Sequence, residues 1–241
     1  VAYGSSPLGA YAEERLIPAD RLIKLPDGID DKTAAAMMLK GLTTQYLIRQ
    51  IFKVKRGDTI LFHAAAGGVG LILSQWAKHL GVTVIGTVGS DEKAKLAKAH
   101  GGDHPIVYTR EDFVERVKEI TKGEKLPVVY DSIGKDTWPK SLDCLRPTGL
   151  MVSFGQSSGP IGPIELGILA AKGSLFITRP TLNSYAGKRA DMVAMARDLL
   201  DAVLSSAIKI EVSQTYPLKD AAQAHRDLQS RKTTGSTVLT V

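Results

Sequence analysis

A run of small residues, Ala65-Ala-Gly-Gly-Val-Gly70, stands between an apolar stretch, Thr59-Ile-Leu-Phe-His63, and an amphipathic one, Leu71-Ile-Leu-Ser-Gln-Trp-Ala-Lys-His-Leu80. It keeps the G-x-G-x-x-G spacing with alanine in the first position, and the strand before it and helix after it give that spacing its meaning. Small side chains let the backbone approach a pyrophosphate. The N-terminus of the following helix offers that anion unpaired N–H groups and a partial positive charge. The competing reading is a tight strand-to-helix turn that needs glycine only for packing.

The surrounding pattern favours the dinucleotide. From Asp58 onward, strand-like runs at 59–63, 82–87, 104–107, 127–130, 149–153 and 174–178 alternate with helical runs. The helices are expected at 69–80, 92–100, 110–121, 137–142 and 164–171. This alternation builds an α/β fold, a doubly wound parallel sheet of the Rossmann type. Outside it the pattern changes. Residues 1 to about 40 hold short strand-like pieces and the prolines Pro7, Pro18 and Pro26, then an Ala-rich helix begins at Asp31. After Arg179-Pro180 come a helix near 188–205, a strand at 208–212, a helix at 218–230 and a terminal strand at 236–241. The two flanks are expected to meet as a second domain around the inserted nucleotide domain. Val1 is not methionine and opens inside an ordered-looking Val-Ala-Tyr segment, so an N-terminal portion is expected to be missing.

Composition narrows the partners. Lys and Arg number 31 against 25 acids, a net charge of +6 that suits nucleic acid, an anionic surface or an anionic small ligand. The two signs are interspersed, as in Asp91-Glu-Lys-Ala-Lys95, with no basic run and no aromatic ladder, so no nucleic-acid partner is expected. No stretch approaches the roughly 20 apolar residues of a membrane span. No export signal opens the chain. A cytoplasmic protein with no membrane partner is expected.

Cys144 is the one cysteine, and His63, His79, His100, His104 and His225 show no ligand spacing, so no metal site is expected. Cys144 reads as a small core residue. Neither a Ser–His–acid set nor paired carboxylates follow from spacing alone, which leaves catalytic residues unassigned and the chemistry to the cofactor.

The second strand chooses between cofactors. A NAD site places an acid at its tip, about 20 residues beyond the glycines, whereas here the loop is Val88-Gly-Ser-Asp-Glu-Lys93. Ser90 and Lys93 are available to a 2′-phosphate, which favours NADPH. Asp91 and Glu92 lie close enough that a small register change restores the NAD reading.

With the glycine turn and the loop Gly86-Thr-Val-Gly-Ser-Asp-Glu-Lys93 assembled, the chain resembles the zinc-free NADPH:quinone oxidoreductases. These form the zeta-crystallin-like branch of the medium-chain dehydrogenase/reductases. Further stretches carry the resemblance: Gly9-Ala-Tyr-Ala-Glu13, Lys40-Gly-Leu-Thr-Thr-Gln-Tyr46, Val129-Tyr-Asp-Ser-Ile-Gly134, Phe154-Gly-Gln-Ser-Ser-Gly159 and Gly173-Ser-Leu-Phe-Ile-Thr-Arg-Pro180. The resemblance implies a Rossmann domain at 42–180 inserted in a partial GroES-like catalytic domain made of 1–41 and 181–241. It also implies NADPH in the cleft and a homodimer joined through the Rossmann sheets. Family chains begin well before the equivalent of Val1, so much of the quinone side of the cleft is expected to lie outside this sequence.

Residue by residue, the resemblance sets Gly68, Val69 and Gly70 at the pyrophosphate and Ser90, Lys93 and Tyr108 around the 2′-phosphate. Thr43 falls at the nicotinamide end, Phe154, Gly155, Ser157 and Ser158 beside the nicotinamide half, and Thr178 near the carboxamide. Arg231 matches an arginine that approaches the cofactor. Gln156 stands where a relative often has Asn and stays unassigned. The implied reaction is reduction of a flat quinone by electrons from nicotinamide C4. An enoyl or alkenal reductase, or a non-catalytic NADPH-binding protein, are the alternatives.

Overall fold

The computed structural model describes residues 8–241, so the Val1 to Tyr3 opening and Pro7 lie outside the described residues. Strands β1 (Thr59–His63), β2 (Thr83–Val88), β3 (His104–Val107), β4 (Leu126–Asp131), β5 (Leu145–Ser153) and β6 (Phe176–Thr178) form one parallel sheet in the order β3-β2-β1-β4-β5-β6. This is the Rossmann order, with its switch point between β1 and β4.

Parallel strands covered on both faces read as continuous apolar runs. Every residue of β4 is buried. Alternate side chains enter opposite cores, as a two-residue period requires. Ile60, Phe62, Val128 and Tyr130 join one cluster, while Leu61 and Val129 join the other.

Helices α1 (Asp31–Tyr46), α2 (Gly68–His79), α3 (Asp91–Ala99), α4 (Phe113–Ile120), α5 (Lys140–Asp143) and α6 (Gly167–Ala171) precede β6 in the chain. Asp30 starts α1 by accepting from the Thr33 N–H at 2.7 Å, and Asp112 starts α4 by accepting from Val114 at 2.8 Å. After β6 come α7 (Leu182–Ala186), α8 (Arg189–Leu204), β7 (Val212–Pro217), α9 (Ala221–Gln229) and β8 (Ser236–Thr240).

The two flanks meet. A Cβ on Gly41 of α1 would lie 2.5 Å from a Leu199 methyl on α8, so the two helices pack closely there and any larger residue would have to push the Leu199 side chain aside. Ser236 donates to the Ala36 carbonyl at 3.0 Å, and Arg21 donates to Gly187 at 3.1 Å. Helix α1 runs unbroken through residues 41 and 42, where the sequence reading divides the domains.

Two expectations need correction, and one helix was not expected. The strand expected at 208–212 is instead β7, which pairs in parallel with β8. The apolar residue Ile208 packs into the core, and its neighbour Lys209 exchanges both backbone hydrogen bonds with the Gln75 side chain, at 2.9 and 3.0 Å. A side-chain amide satisfies this backbone where a ladder was expected. The short strands expected before residue 40 are absent among the described residues, where a 3-10 turn at Ala19–Arg21 stands. The short helix α7 had no signal in the periodicity.

Candidate functional site

The glycine turn leaves β1 through Ala64, whose φ is 61°. The Gly67 N–H closes it on the Ala64 carbonyl at 2.9 Å, and Ala65 donates to Thr87 of β2 at 3.0 Å. Gly67 caps α2 without a side chain, so no side chain takes the first helical N–H groups. A Cβ on Gly70 would sit 2.5 Å from the Ala65 carbonyl oxygen, and one on Gly68 would meet the Gly235 carbonyl oxygen at 2.9 Å. Both positions are held to glycine by backbone packed against them. Val69, half-buried, packs against the larger core.

At the end of β2 the structure gathers residues from three chain segments. Ser90 caps α3 by accepting from the Lys93 N–H at 3.3 Å, and the Lys93 ammonium donates to the Arg231 carbonyl at 2.8 Å. Tyr108 leans over the same loop, its hydroxyl 3.1 Å from where a Gly89 Cβ would be. Ser90, Lys93, Tyr108 and Arg231 thus share one exposed corner. Asp91 does not stand free there, because Arg110 donates to both its carboxylate oxygens at 2.7 and 2.6 Å. The guanidinium holds that carboxyl below its usual range.

The opposite half of the site is the pair of loops after β4 and β5. Phe154 donates to the Asp131 carbonyl at 2.8 Å, Ser157 to Ser132 at 3.0 Å and Ser158 to Ile133 at 2.9 Å. A Cβ on Gly155 would lie 2.7 Å from the Ser132 oxygen. The Ser158 hydroxyl is engaged within the loops, donating to Ile133 at 2.8 Å and accepting from Asp136 at 3.0 Å. Arg179 clamps the β5 loop by donating to the Ser153 and Gly155 carbonyls at 2.9 and 2.8 Å, and to the Gln156 side chain at 3.3 Å.

Thr178 ends β6 beside Val152, and the Phe154 ring lies 5.6 Å from that of Phe62. Thr43 sits on α1 one turn before Tyr46, which stacks on Tyr185 at 4.8 Å. Burial pushes the Tyr46 phenol up to about 12, with Tyr185 adding, while the neighbouring Thr43 hydroxyl and the Arg179 charge oppose; Thr43 itself donates to the Leu39 carbonyl at 2.8 Å.

Beneath both loops lies a buried polar network that sequence spacing did not reveal. Asp131 accepts from the backbone of Ile133 at 2.7 Å and Gly134 at 3.1 Å, and from the hydroxyls of Thr137 at 2.7 Å and Ser141 at 2.9 Å. Since Ser141 donates to Asp131, His63 Nε2–H is the donor in its 3.0 Å bond to Ser141, and His63 Nδ1 accepts from Thr87 at 2.9 Å. A serine that donates to the acid, with all three side chains fully buried, holds a loop in place and is not arranged as a nucleophile.

Lys40 was also missed: its stem covers Gly68, and burial pulls its ammonium below the usual lysine value. Its only sequence signal was membership of the Lys40 to Tyr46 stretch. Among the described residues, no group of three His, Cys, Asp or Glu is placed to hold a metal. Burial pushes the Cys144 thiol up to about 12, which keeps it protonated.

A family model described as "Zinc-binding dehydrogenase" matches residues 68–200. A quinone oxidoreductase from Pseudomonas aeruginosa is 57% identical over 99% of this chain and 74% of its own. The chain belongs to the quinone oxidoreductases of the medium-chain dehydrogenase/reductase superfamily. Among solved structures of this family, Escherichia coli quinone oxidoreductase complexed with NADPH superposes with a TM-score of 0.98 at 51% identity, covering 99% of this chain and 74% of that one. A 2-haloacrylate reductase from a Burkholderia species is 51% identical over 97% of this chain and 71% of its own. The family resemblance read from the sequence is therefore correct.

Proposed function

We propose that this protein reduces quinones with NADPH, and that the corner at the end of β2 carries the choice of cofactor. The observation that supports it is the meeting of Ser90, Lys93, Tyr108 and Arg231 at one point while Asp91 is paired with Arg110. A 2′-phosphate needs hydroxyls and cations there, and a NAD site needs a free acid. Gly68, Val69 and Gly70 present the α2 N-terminus to the pyrophosphate. The Phe154, Gly155, Ser157 and Ser158 loop, with Thr178 and Thr43, borders the nicotinamide half, and Arg179 keeps that loop in one conformation. When bound, NADPH supplies electrons from C4 of its nicotinamide. The aromatic neighbourhood of Phe154, Tyr46 and Tyr185 suits a flat quinone ring.

The test is product analysis after NADPH oxidation with 1,4-benzoquinone. Hydroquinone formed in step with NADPH consumed is the expected result, and an inert enzyme with tight NADPH binding would refute it. The Burkholderia relative motivates a second reading, reduction of an activated carbon–carbon double bond. A saturated product from 2-chloroacrylate, with benzoquinone left untouched, would select that reading.

A homodimer in the cytoplasm completes the proposal. Strand β6 is a sheet edge, and Phe176 on it is 61% exposed, a surface that a second copy would cover. Sedimentation of a Phe176→Glu variant as a monomer is expected, and a dimer unchanged by it would place the interface elsewhere. No helix among the described residues is long and apolar enough to cross a membrane.

A further inference from the structure

The corner at the end of β2 holds both signs of charge. Lys93, Lys95 and Arg110 bring three cations, and Asp91 and Glu92 bring two carboxylates, with the Arg231 main chain beside Lys93, so removing Arg110 would strip the corner of its net positive charge. Asp91 occupies the first helical position after Ser90, in the loop where a NAD-binding acid belongs. Arg110 reaches it from the turn after β3, two residues beyond Tyr108, and its own N–H donates to Val107 at 3.0 Å. The contact is fork to fork, with two guanidinium nitrogens on two carboxylate oxygens at 2.7 and 2.6 Å.

Stability does not explain that geometry well. The two side chains are 57% and 55% exposed, and pairs so open contribute little to folding. Electrostatics at the ligand explains it better. An unpaired carboxylate beside a phosphate would repel it, whereas the same carboxylate attracts a ribose diol as a hydrogen-bond acceptor.

We infer that Arg110 is a specificity-determining residue for the cofactor: by occupying both oxygens of Asp91, it keeps the corner cationic for a 2′-phosphate and denies Asp91 to a free ribose diol. The inference rests on reading this corner as the 2′-phosphate site. Arg110 acts through Asp91 and is a positioning residue, so its effect falls on which nucleotide binds and not on the rate of electron transfer.

Four proteins test it: the wild type, Arg110→Gln, Arg110→Gln with Asp91→Asn, and Lys93→Ala, each titrated with NADPH and NADH by nucleotide fluorescence. Arg110→Gln is expected to weaken NADPH about fivefold at low salt and to tighten NADH by about twofold, the gap shrinking as ionic strength rises. Adding Asp91→Asn removes the charge that needed neutralising and is expected to restore most of the NADPH affinity. A double variant as weak as Arg110→Gln would overturn the route through Asp91. An NADPH-to-NADH ratio unchanged by Arg110→Gln but lowered by Lys93→Ala would overturn the role of Arg110 and leave the phosphate site standing. A ratio unchanged by both would overturn the site and the inference together. Thermal melts are expected to coincide, since the pair is exposed.

Discussion

The Lys93 ammonium donates to the main-chain carbonyl of Arg231 at 2.8 Å, joining residues 138 apart in the chain. One lysine thereby ties the start of α3 to the loop after α9 and stands where the cofactor phosphate is proposed. Lys93→Ala is expected to raise KM for NADPH about tenfold, the scale of one charge-assisted hydrogen bond, with NADH changed by less than about twofold. Steady-state kinetics with both nucleotides check it. Equal losses for the two would mean that Lys93 acts only by bracing Arg231.

Gly70 and Gly68 separate packing from flexibility. Alanine at 70 would press on the carbonyl oxygens of Ala64 and Ala65, which are main chain and have nowhere to go. Alanine at 68 meets Gly235 too, but its other neighbour is the movable end of Lys40. Gly70→Ala should cost about 1–3 kcal/mol in urea unfolding, more than Gly68→Ala, despite alanine's better helix propensity. The reverse order would show that the turn yields more easily than the helix start.

Asp131 accepts from four donors, two backbone and two hydroxyl. Asp131→Ala leaves the Ile133 and Gly134 N–H groups without their acceptor, while the Thr137 and Ser141 hydroxyls retain the Gly134 and Thr137 carbonyls at 3.1 and 3.2 Å, and a loss on the order of 3 kcal/mol is expected. Because the same residue shapes the Ile133 and Gly134 turn that anchors the β5 loop, NADPH affinity should fall along with stability. Unchanged affinity in a folded variant would separate the network from the site.

His63 links the fold to pH. Burial pushes its imidazole below the ordinary 6.5, against the pull of Asp131. The unfolded chain therefore binds a proton that the folded one refuses. The contribution is fully present above about 6.5 and is lost as pH falls from there toward the depressed folded value. The slope from one group is at most about 1.4 kcal/mol per pH unit. Urea midpoints between pH 7 and 5 should fall for the wild type and flatten for His63→Asn. Parallel slopes in the two would assign the acid sensitivity to other groups.

Most of the fold was legible because it is written in local periods. Six apolar runs separated by helices could only form a covered parallel sheet, and each expected strand overlaps an observed one within that sheet. The 208–212 error has the same origin. Alternating Ile208 and Ile210 looks like a ladder strand, yet the period reports which side chains are buried and not what pairs with the backbone. Gln75, from a helix 134 residues earlier, took that role.

The site divides along the same line. Sequence by itself determined the glycine turn, the loop with Ser90 and Lys93, and the family they mark, since each is a short segment whose chemistry depends on its own neighbours. Tertiary structure alone decided that Arg110 pairs with Asp91, that Lys40 roofs Gly68, and that His63 meets Ser141 across 78 residues. Those contacts join side chains on different strands and helices. Their partners are set by how the sheet twists and stacks its helices, which no spacing along the chain records.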